Sequence, residues 1–398
     1  MPAPAGPRPR QNPFEYGREL DRDELVDREE ELRQVTRALE NGGKLFLIGP
    51  RRYGKTSLLR AAEMTVAAKG VLVLRFDAER YESLDLLAAA LLTAATRGLE
   101  STIERAGALL RRAAARLQPE VKYDLREQKF SVHLGVAGSP AKGDLPVLVD
   151  TLDAIERMAS ASRRPVVVII DEFQQVVVQG GEAAEKQLRA AVQRHRKVGY
   201  VFAGSATRLL ADMTGDAGRA FYKLGARLFL GAIPRAEFTP FLRRGFRQAA
   251  IAVDADALTR LLDVADDVPY TVQRLAHECW EMLRVTRSER RLSVAAVDTA
   301  LTRVLRQEDA AYTQVWNSLT LQQKRALKAV LLESGRALLS AAVTARYRIP
   351  TPSMQRALGA LDARGIVREE QDAGAIRYRL EDPMLGHWLR WSQQMEAP

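Results

Sequence analysis

The sequence predicts an α/β fold: a parallel sheet alternating with helices, followed by a small helical domain and a winged helix. Three observations carry this. Short unbroken apolar runs alternate with helical stretches over residues 1–233. Four helical segments then follow one another from Pro234. After residue 318 three helices lead into a hairpin pattern. At 398 residues the chain is too long for one ordinary domain and long enough for two or three, each with its own core. Its 46% hydrophobic and 28% charged residues are globular values and exclude a largely disordered chain.

Residues 1–11, rich in Pro, Ala and Arg and without periodicity, read as a flexible arm. Residues 12–233 are the expected α/β core. Over 21–40 an acidic stretch carries Leu25, Val26, Leu32, Val35 and Leu39 at helical spacing and stops at Asn41-Gly42-Gly43. Leu45-Phe46-Leu47-Ile48 is a first strand, Gly49 ends it, and a helix starts at Lys55. Further strands are expected at 71–76, 165–170 and 200–203. Such β-branched runs suit strands covered on both faces, and the helices between them imply a parallel sheet. A long connection at about 97–147 looks inserted. Its part 103–117 is Ala/Leu/Arg-rich and helical, whereas Phe130-Ser131-Val132-His133-Leu134 alternates as an exposed strand does.

Residues 234–317 read as a helical domain with helices at 237–249, 254–265, 271–285 and 294–306. Residues 318–398 read as a winged helix. Its helices lie at 319–332, 340–347 and 353–364; Gly365 stops the last, and strands at 366–369 and 376–380 flank Asp372-Ala373-Gly374.

No run of about 18 apolar residues occurs, so no membrane span and no membrane partner is expected. Residues 1–14 lack the apolar core of a secretory signal, and a soluble, cytoplasmic protein is the expectation. The single Cys279 cannot form an internal disulfide, and four scattered histidines offer no metal-ligand spacing. The net charge of +10 divides as +6 over 1–233, 0 over 234–317 and +4 over 318–398. With no basic block, charge permits nucleic-acid binding without requiring it.

The chemistry is concentrated in Gly49-Pro50-Arg51-Arg52-Tyr53-Gly54-Lys55-Thr56, a full G-x-x-x-x-G-K-[ST] between a strand and a helix. Glycines let backbone N–H groups wrap phosphates, and the helix N-terminus adds its dipole. Lys55 reaches the β- and γ-phosphates, the Thr56 hydroxyl suits Mg²⁺, and Ser57 continues the phosphate-binding stretch. Arg51 and Arg52 either face phosphate or are simply solvated. Asp171 and Glu172 end the run Val166-Val167-Val168-Ile169-Ile170, about 115 residues further on. There Asp171 suits Mg²⁺, and Glu172 suits orienting or deprotonating the attacking water. After the strand at 200–203, Ser205 or Thr207 is a candidate γ-phosphate sensor, or else a helix N-cap. Transfer also needs a positive charge, for which Arg208, Arg219 and Arg227 are in range.

These motifs resemble the archaeal-type ATPases, in the STAND and origin-recognition neighbourhood of AAA+ P-loop NTPases. The resemblance runs from about Asn12 to Trp391 through NPFEYGRELDRDELVDREEEL, GPRRYGKTSLL, VVVIIDEFQQV, FAGSATRLL, GRAFYKLGA, VPYTVQRLAHECW and YRLEDPMLGHWLRW. It implies ATP rather than GTP, a P-loop NTPase core, a helical lid that closes on the nucleotide, and a C-terminal winged helix. It also implies that Val26, Asp27 and Arg28 lie near the adenine, that Pro269 and Tyr270 close the lid, and that Arg219 serves as the arginine at the transferring phosphoryl. Related proteins often have Gly-x-Pro where this chain has Asp267-Val268-Pro269. Tyr270 and Trp280 can equally be core aromatics.

In the winged helix, Ser353, Gln355 and Arg356 open the third helix, where side chains reach a major groove, while Arg368, Arg377 and Arg379 lie on the wing near phosphate. Glu369, Glu370 and Asp372 oppose that use. Leu358 and Leu361 read as core, and His387 as packing beside Trp388. The leading expectation is a slow ATP-hydrolysing switch with Mg²⁺ as cofactor, whose winged helix engages double-stranded DNA or a protein partner. The alternative is a DNA-binding origin-recognition-like protein in which ATP is a structural or assembly ligand. A scaffold acting on another protein, or self-association, is a third.

Overall fold

A computed structural model of the chain describes residues 11–99, 117–124, 129–136, 146–162, 164–205, 207–285, 290–372 and 375–392. The chain divides into two units. One holds Leu20–Pro50 and Lys55–Gly231; the other holds the residues up to Glu19, the four residues Arg51–Gly54, and the chain from Ala232 onward.

The first unit runs α1 (Glu29–Glu40), β1 (Lys44–Ile48), α2 (Lys55–Ala67), β2 (Leu72–Asp77), α3 (Leu84–Leu99), β3 (Leu117–Asp124), β4 (Lys129–Val136), α4 (Pro146–Ser162), β5 (Val166–Asp171), α5 (Gln174–Arg194), β6 (Val198–Gly204), α6 (Thr207–Gly215) and β7 (Ala226–Phe229). Its parallel five-stranded sheet has the order β2-β5-β6-β1-β7. All six residues of β5 are buried, which explains why that strand reads as an unbroken apolar run. The register pairs Ile48 with Gly204 and Ile170 with Phe202, so β1, β6 and β5 end together. Side chains following those ends share one edge of the sheet, where parallel α/β folds bind ligands.

Two expectations in this unit are corrected. The helix read over 21–40 starts only at Glu29. Residues Arg22–Glu24 form a separate 3₁₀ turn, and Asp27 takes a left-handed φ of 44°, which a helix cannot contain. The sheet also has a fifth strand, β7, too short and too polar to stand out in the sequence. In the inserted connection, Phe130–Leu134 falls within β4, which pairs antiparallel with β3. Residues 1–10 of the expected arm at 1–11, and most of the expected helix at 103–117, lie outside the described residues.

The second unit runs α7 (Arg235–Gln248), β8 (Ala252–Val253), α8 (Ala255–Val264), α9 (Pro269–Val285), β9 (Arg291–Leu292), α10 (Val294–Asn317), α11 (Leu321–Leu332), α12 (Ala341–Arg346), α13 (Thr351–Ala363), β10 (Val367–Asp372), β11 (Ala375–Leu380) and α14 (Pro383–Ser392). Trp280 is fully buried among the helices, and Leu358 and Leu361 are core. α10 continues well past residue 306, because the polar stretch after Arg306 keeps helical spacing and buries Tyr312. α11 to α13 with the antiparallel β10/β11 pair form the winged helix. α14 fastens it to the neighbouring helices: Trp388 Nε1 donates to Asp309 at 2.8 Å, and His387 Nε2 lies 2.9 Å from the Val264 carbonyl. The N-terminal segment belongs here because Phe14 is fully buried, its ring 4.7 Å from that of Phe246.

Candidate nucleotide site

The loop from Gly49 to Lys55 leaves β1 and enters α2, so the first N–H groups of α2 are unpaired within the helix and point toward the loop. Gly54 adopts φ +88°, a conformation that costs a glycine little and most residues much. Lys55 is buried, and its Nζ donates to the carbonyls of Gly49 at 2.9 Å and Pro50 at 3.0 Å. The Thr56 hydroxyl donates to Asp171 Oδ2 at 3.2 Å, joining the start of α2 to the end of β5. Ser57 has a different partner: its Oγ accepts the Leu20 N–H at 3.0 Å.

Burial raises the Asp171 pKa above the ordinary carboxylate range; the neighbouring Glu172 charge adds to this, while Lys55 and Thr56 oppose it. Glu172 sits at φ 49°. Phe173 is buried against Phe202 and Phe221, with ring centroids 4.5 and 5.6 Å away, which anchors the chain just beyond the carboxylate. Glu172 Oε2 accepts from the Ser205 hydroxyl at 2.8 Å and the Ser205 N–H at 3.3 Å. β6 lies between β1 and β5, so its end carries Ser205 to this position. Gln174 Nε2 also donates to Glu172. Gln174 is read from the sequence only as part of the Asp171-Glu172-Phe173-Gln174 motif and not as a site residue; its signal is its place two residues after the carboxylate, on the first turn of α5. The Thr207 and Arg208 side chains lie outside the described residues.

The structure thus brings Lys55, Thr56, Asp171, Glu172 and Ser205 together. It gives other candidates different partners. Arg219 forms a two-pronged pair with the buried Glu185, at 2.6 and 3.2 Å. That hydrogen bond holds the guanidinium firmly charged. Arg227 is exposed on β7. Arg28 is buried and committed to Glu31 at 2.7 Å and the Gly231 carbonyl at 2.6 Å. The cavity of about 690 Å³ that Arg28 lines is bordered by Arg22, Leu25, Leu32, Thr36 and Lys69, with no residue of the phosphate loop. Asp27 beside it is half-buried.

In the second unit Pro269 is buried at the start of α9, and Tyr270 is half-buried, its ring under the Arg52 guanidinium at 5.0 Å. On α13, Gln355 and Arg356 are exposed and Ser353 is half-buried. Arg377 is partly buried and donates to the Ser334 carbonyl at 3.1 Å, and Arg379 lies 3.6 Å from both Asp266 and Glu370. Arg368 overturns its sequence reading. It is buried rather than displayed on the wing, bonded to Glu370 at 2.6 Å, the Leu380 carbonyl at 3.1 Å and the Tyr53 hydroxyl at 3.1 Å. Among the described residues no helix is long and apolar enough to cross a membrane, and no group of three or more His, Cys, Asp or Glu could hold a metal ion.

Residues 24–203 match the model of the AAA ATPase domain, and residues 310–391 match that of a probable winged helix domain. No curated protein matches the chain. Among solved structures, a Walker-type ATPase of Pyrococcus abyssi is similar at 19% identity and a TM-score of 0.62, covering 95% of this chain and 99% of that one. The ORC2 protein of Aeropyrum pernix, in its ADPNP–ADP complexes, is similar at 16% identity and a TM-score of 0.52, covering 93% and 96%. At such identities the likeness is one of fold.

Proposed function

We propose that this chain, which carries an AAA ATPase domain match over residues 24–203, a winged helix match over residues 310–391 and an origin-recognition-like fold, is a Mg²⁺-dependent, ATP-binding and ATP-hydrolysing switch whose nucleotide state controls what the winged helix engages. The observation that carries the reading is the convergence of Lys55, Thr56, Asp171, Glu172 and Ser205 at the shared ends of β1, β5 and β6.

The loop N–H groups and the start of α2 bind the phosphates of ATP. Lys55 exchanges its bonds to the Gly49 and Pro50 carbonyls for bonds to phosphate oxygens. Thr56 and Asp171 are oxygen donors already within 3.2 Å of each other, which fits a hard divalent cation that keeps water and phosphate as further ligands. Bound there, Mg²⁺ supplies neutralisation of charge on the phosphate oxygens. Glu172 orients the attacking water and takes its proton, while Ser205 and Gln174 fix the carboxylate's direction. Arg219 contributes its charge on leaving Glu185, whether to its own nucleotide or to that of a second copy. Lid closure by Pro269 and Tyr270 belongs to the same reading. The fold likeness to an ORC2 protein in ADPNP–ADP complexes supports an adenine nucleotide as the ligand.

The exposed Gln355 and Arg356 on α13 support duplex DNA as what the winged helix engages, the wing arginines being held by internal partners. Titration with a fluorescent ATP analogue tests the binding half. Lys55→Ala should weaken binding by roughly 10- to 100-fold, the worth of a charge-assisted hydrogen-bond set. Undiminished binding would contradict the reading.

A further inference from the structure

Two consecutive residues of the phosphate loop are bonded to the winged-helix segment, and Arg51 beside them would have its Nη1 3.6 Å from a Cβ placed on Gly365, just past the end of α13. Arg52 Nη1 pairs with Asp382 at 2.6 Å, at the entry to α14. Tyr53 is only 5% exposed; its hydroxyl accepts from Arg368 of β10 at 3.1 Å, and the same guanidinium stands 5.5 Å from its ring centroid. Further bonds hold the receiving side rigid. Asp382 also accepts the Tyr312 hydroxyl at 3.0 Å and the Met384 N–H at 3.0 Å, and Arg368 is tied to Glu370 and the Leu380 carbonyl. The Tyr270 N–H donates to the Arg52 carbonyl at 3.3 Å, so the loop backbone is held as well as its side chains. The division of the chain reflects this, since Arg51–Gly54 group with the winged helix and not with the strand and helix that flank them in sequence.

Phosphate binding needs none of these side chains, because it uses the loop's backbone, its lysine and its threonine. A buried tyrosine and a paired arginine at the variable positions of the motif are therefore free to serve another purpose. We propose that Arg52–Asp382 and Tyr53–Arg368 are a latch by which the winged helix restrains the phosphate loop in the arrangement where Lys55 is bonded to its own loop carbonyls, so that drawing the winged helix away raises nucleotide affinity. The coupling is reciprocal: nucleotide that reshapes the loop loosens the winged helix by the same free energy. This rests on the nucleotide-binding reading above and names the regulation of that site.

The double variant Tyr53→Phe/Asp382→Asn removes one hydroxyl and one charge while keeping the ring and the α14 cap acceptor. Two readouts separate the latch from the reading beneath it. Without nucleotide, hydrogen exchange over residues 49–56 should rise several-fold in the variant; unchanged exchange would overturn the latch whatever the ligand. With Mg²⁺ and a fluorescent ATP analogue, affinity should increase at least about 5-fold, the lower end of ordinary coupling energies. Equal or weaker affinity would overturn the restraining role. A wild-type chain that bound no nucleotide while loop exchange still responded would sink the ATP reading, and with it the coupling, though not the contact.

Discussion

Burial lowers the His387 pKa below the ordinary histidine value, with the Val264 carbonyl working against that shift and Arg390 and Arg260 adding to it. The folded protein therefore holds a neutral imidazole that the unfolded chain protonates more readily. The sign follows from linkage: this contribution to stability is present above the unfolded pKa of about 6.5 and is lost as pH falls through the depressed folded value. Thermal melts between pH 7.5 and 5.5 should show the wild type losing Tm more steeply than His387→Gln; parallel slopes would contradict the assignment. His387 was legible as a packing residue because it sits beside Trp388 on an apolar helix. Lys55, Thr56, Asp171 and Glu172 were legible because phosphate chemistry dictates both residue type and spacing. Arg368 was not. Alternation along the wing says which face a side chain takes, but its decisive partner, Tyr53, is 315 residues away. The same holds for Arg219, whose partner Glu185 lies 34 residues away, and for Arg28, whose second acceptor, the Gly231 carbonyl, lies 203 residues away.

At the scale of elements, the wing depends on a turn as much as on its two strands. Gly335 adopts φ +72°, accepts the Tyr378 N–H at 2.9 Å, and a Cβ there would stand 1.7 Å from the Tyr378 carbonyl oxygen. Arg336 and Arg377 bridge alongside it. Gly335→Ala must therefore strain the backbone and push β11 away at once, costing about 2 kcal/mol or more. Denaturant unfolding measures this, and a neutral substitution would contradict the geometry. Long apolar strands and capped helices were readable because each carries its own period and boundary residues. β7 was not, since a four-residue strand has too little pattern, and its place beside β1 is set by pairing alone. The start of α1 was misplaced because a left-handed Asp27 interrupts a pattern whose apolar spacing continues.

For the whole molecule, the strand order puts β6 between the phosphate-loop strand and the carboxylate strand. That order makes one site from residues far apart in sequence, and the Asp171–Thr56 and Glu172–Ser205 contacts are its result. Sequence implied the ingredients and their sequence order; only the sheet shows that Ser205 meets Glu172. The division of the chain adds what motif reading could not, because Arg51–Gly54 keep company with the winged helix. Steady-state ATP turnover puts the proposed hydrolysis of ATP by Glu172, under the influence of the winged helix, to the test. The measurement compares wild type with Glu172→Gln, with and without duplex DNA, at two salt concentrations. The expected result is Mg²⁺-dependent turnover in the wild type, altered by DNA most at low salt, and a loss of roughly 100-fold or more in the variant, which still binds nucleotide. Equal turnover in the two proteins, or none in either, would contradict it.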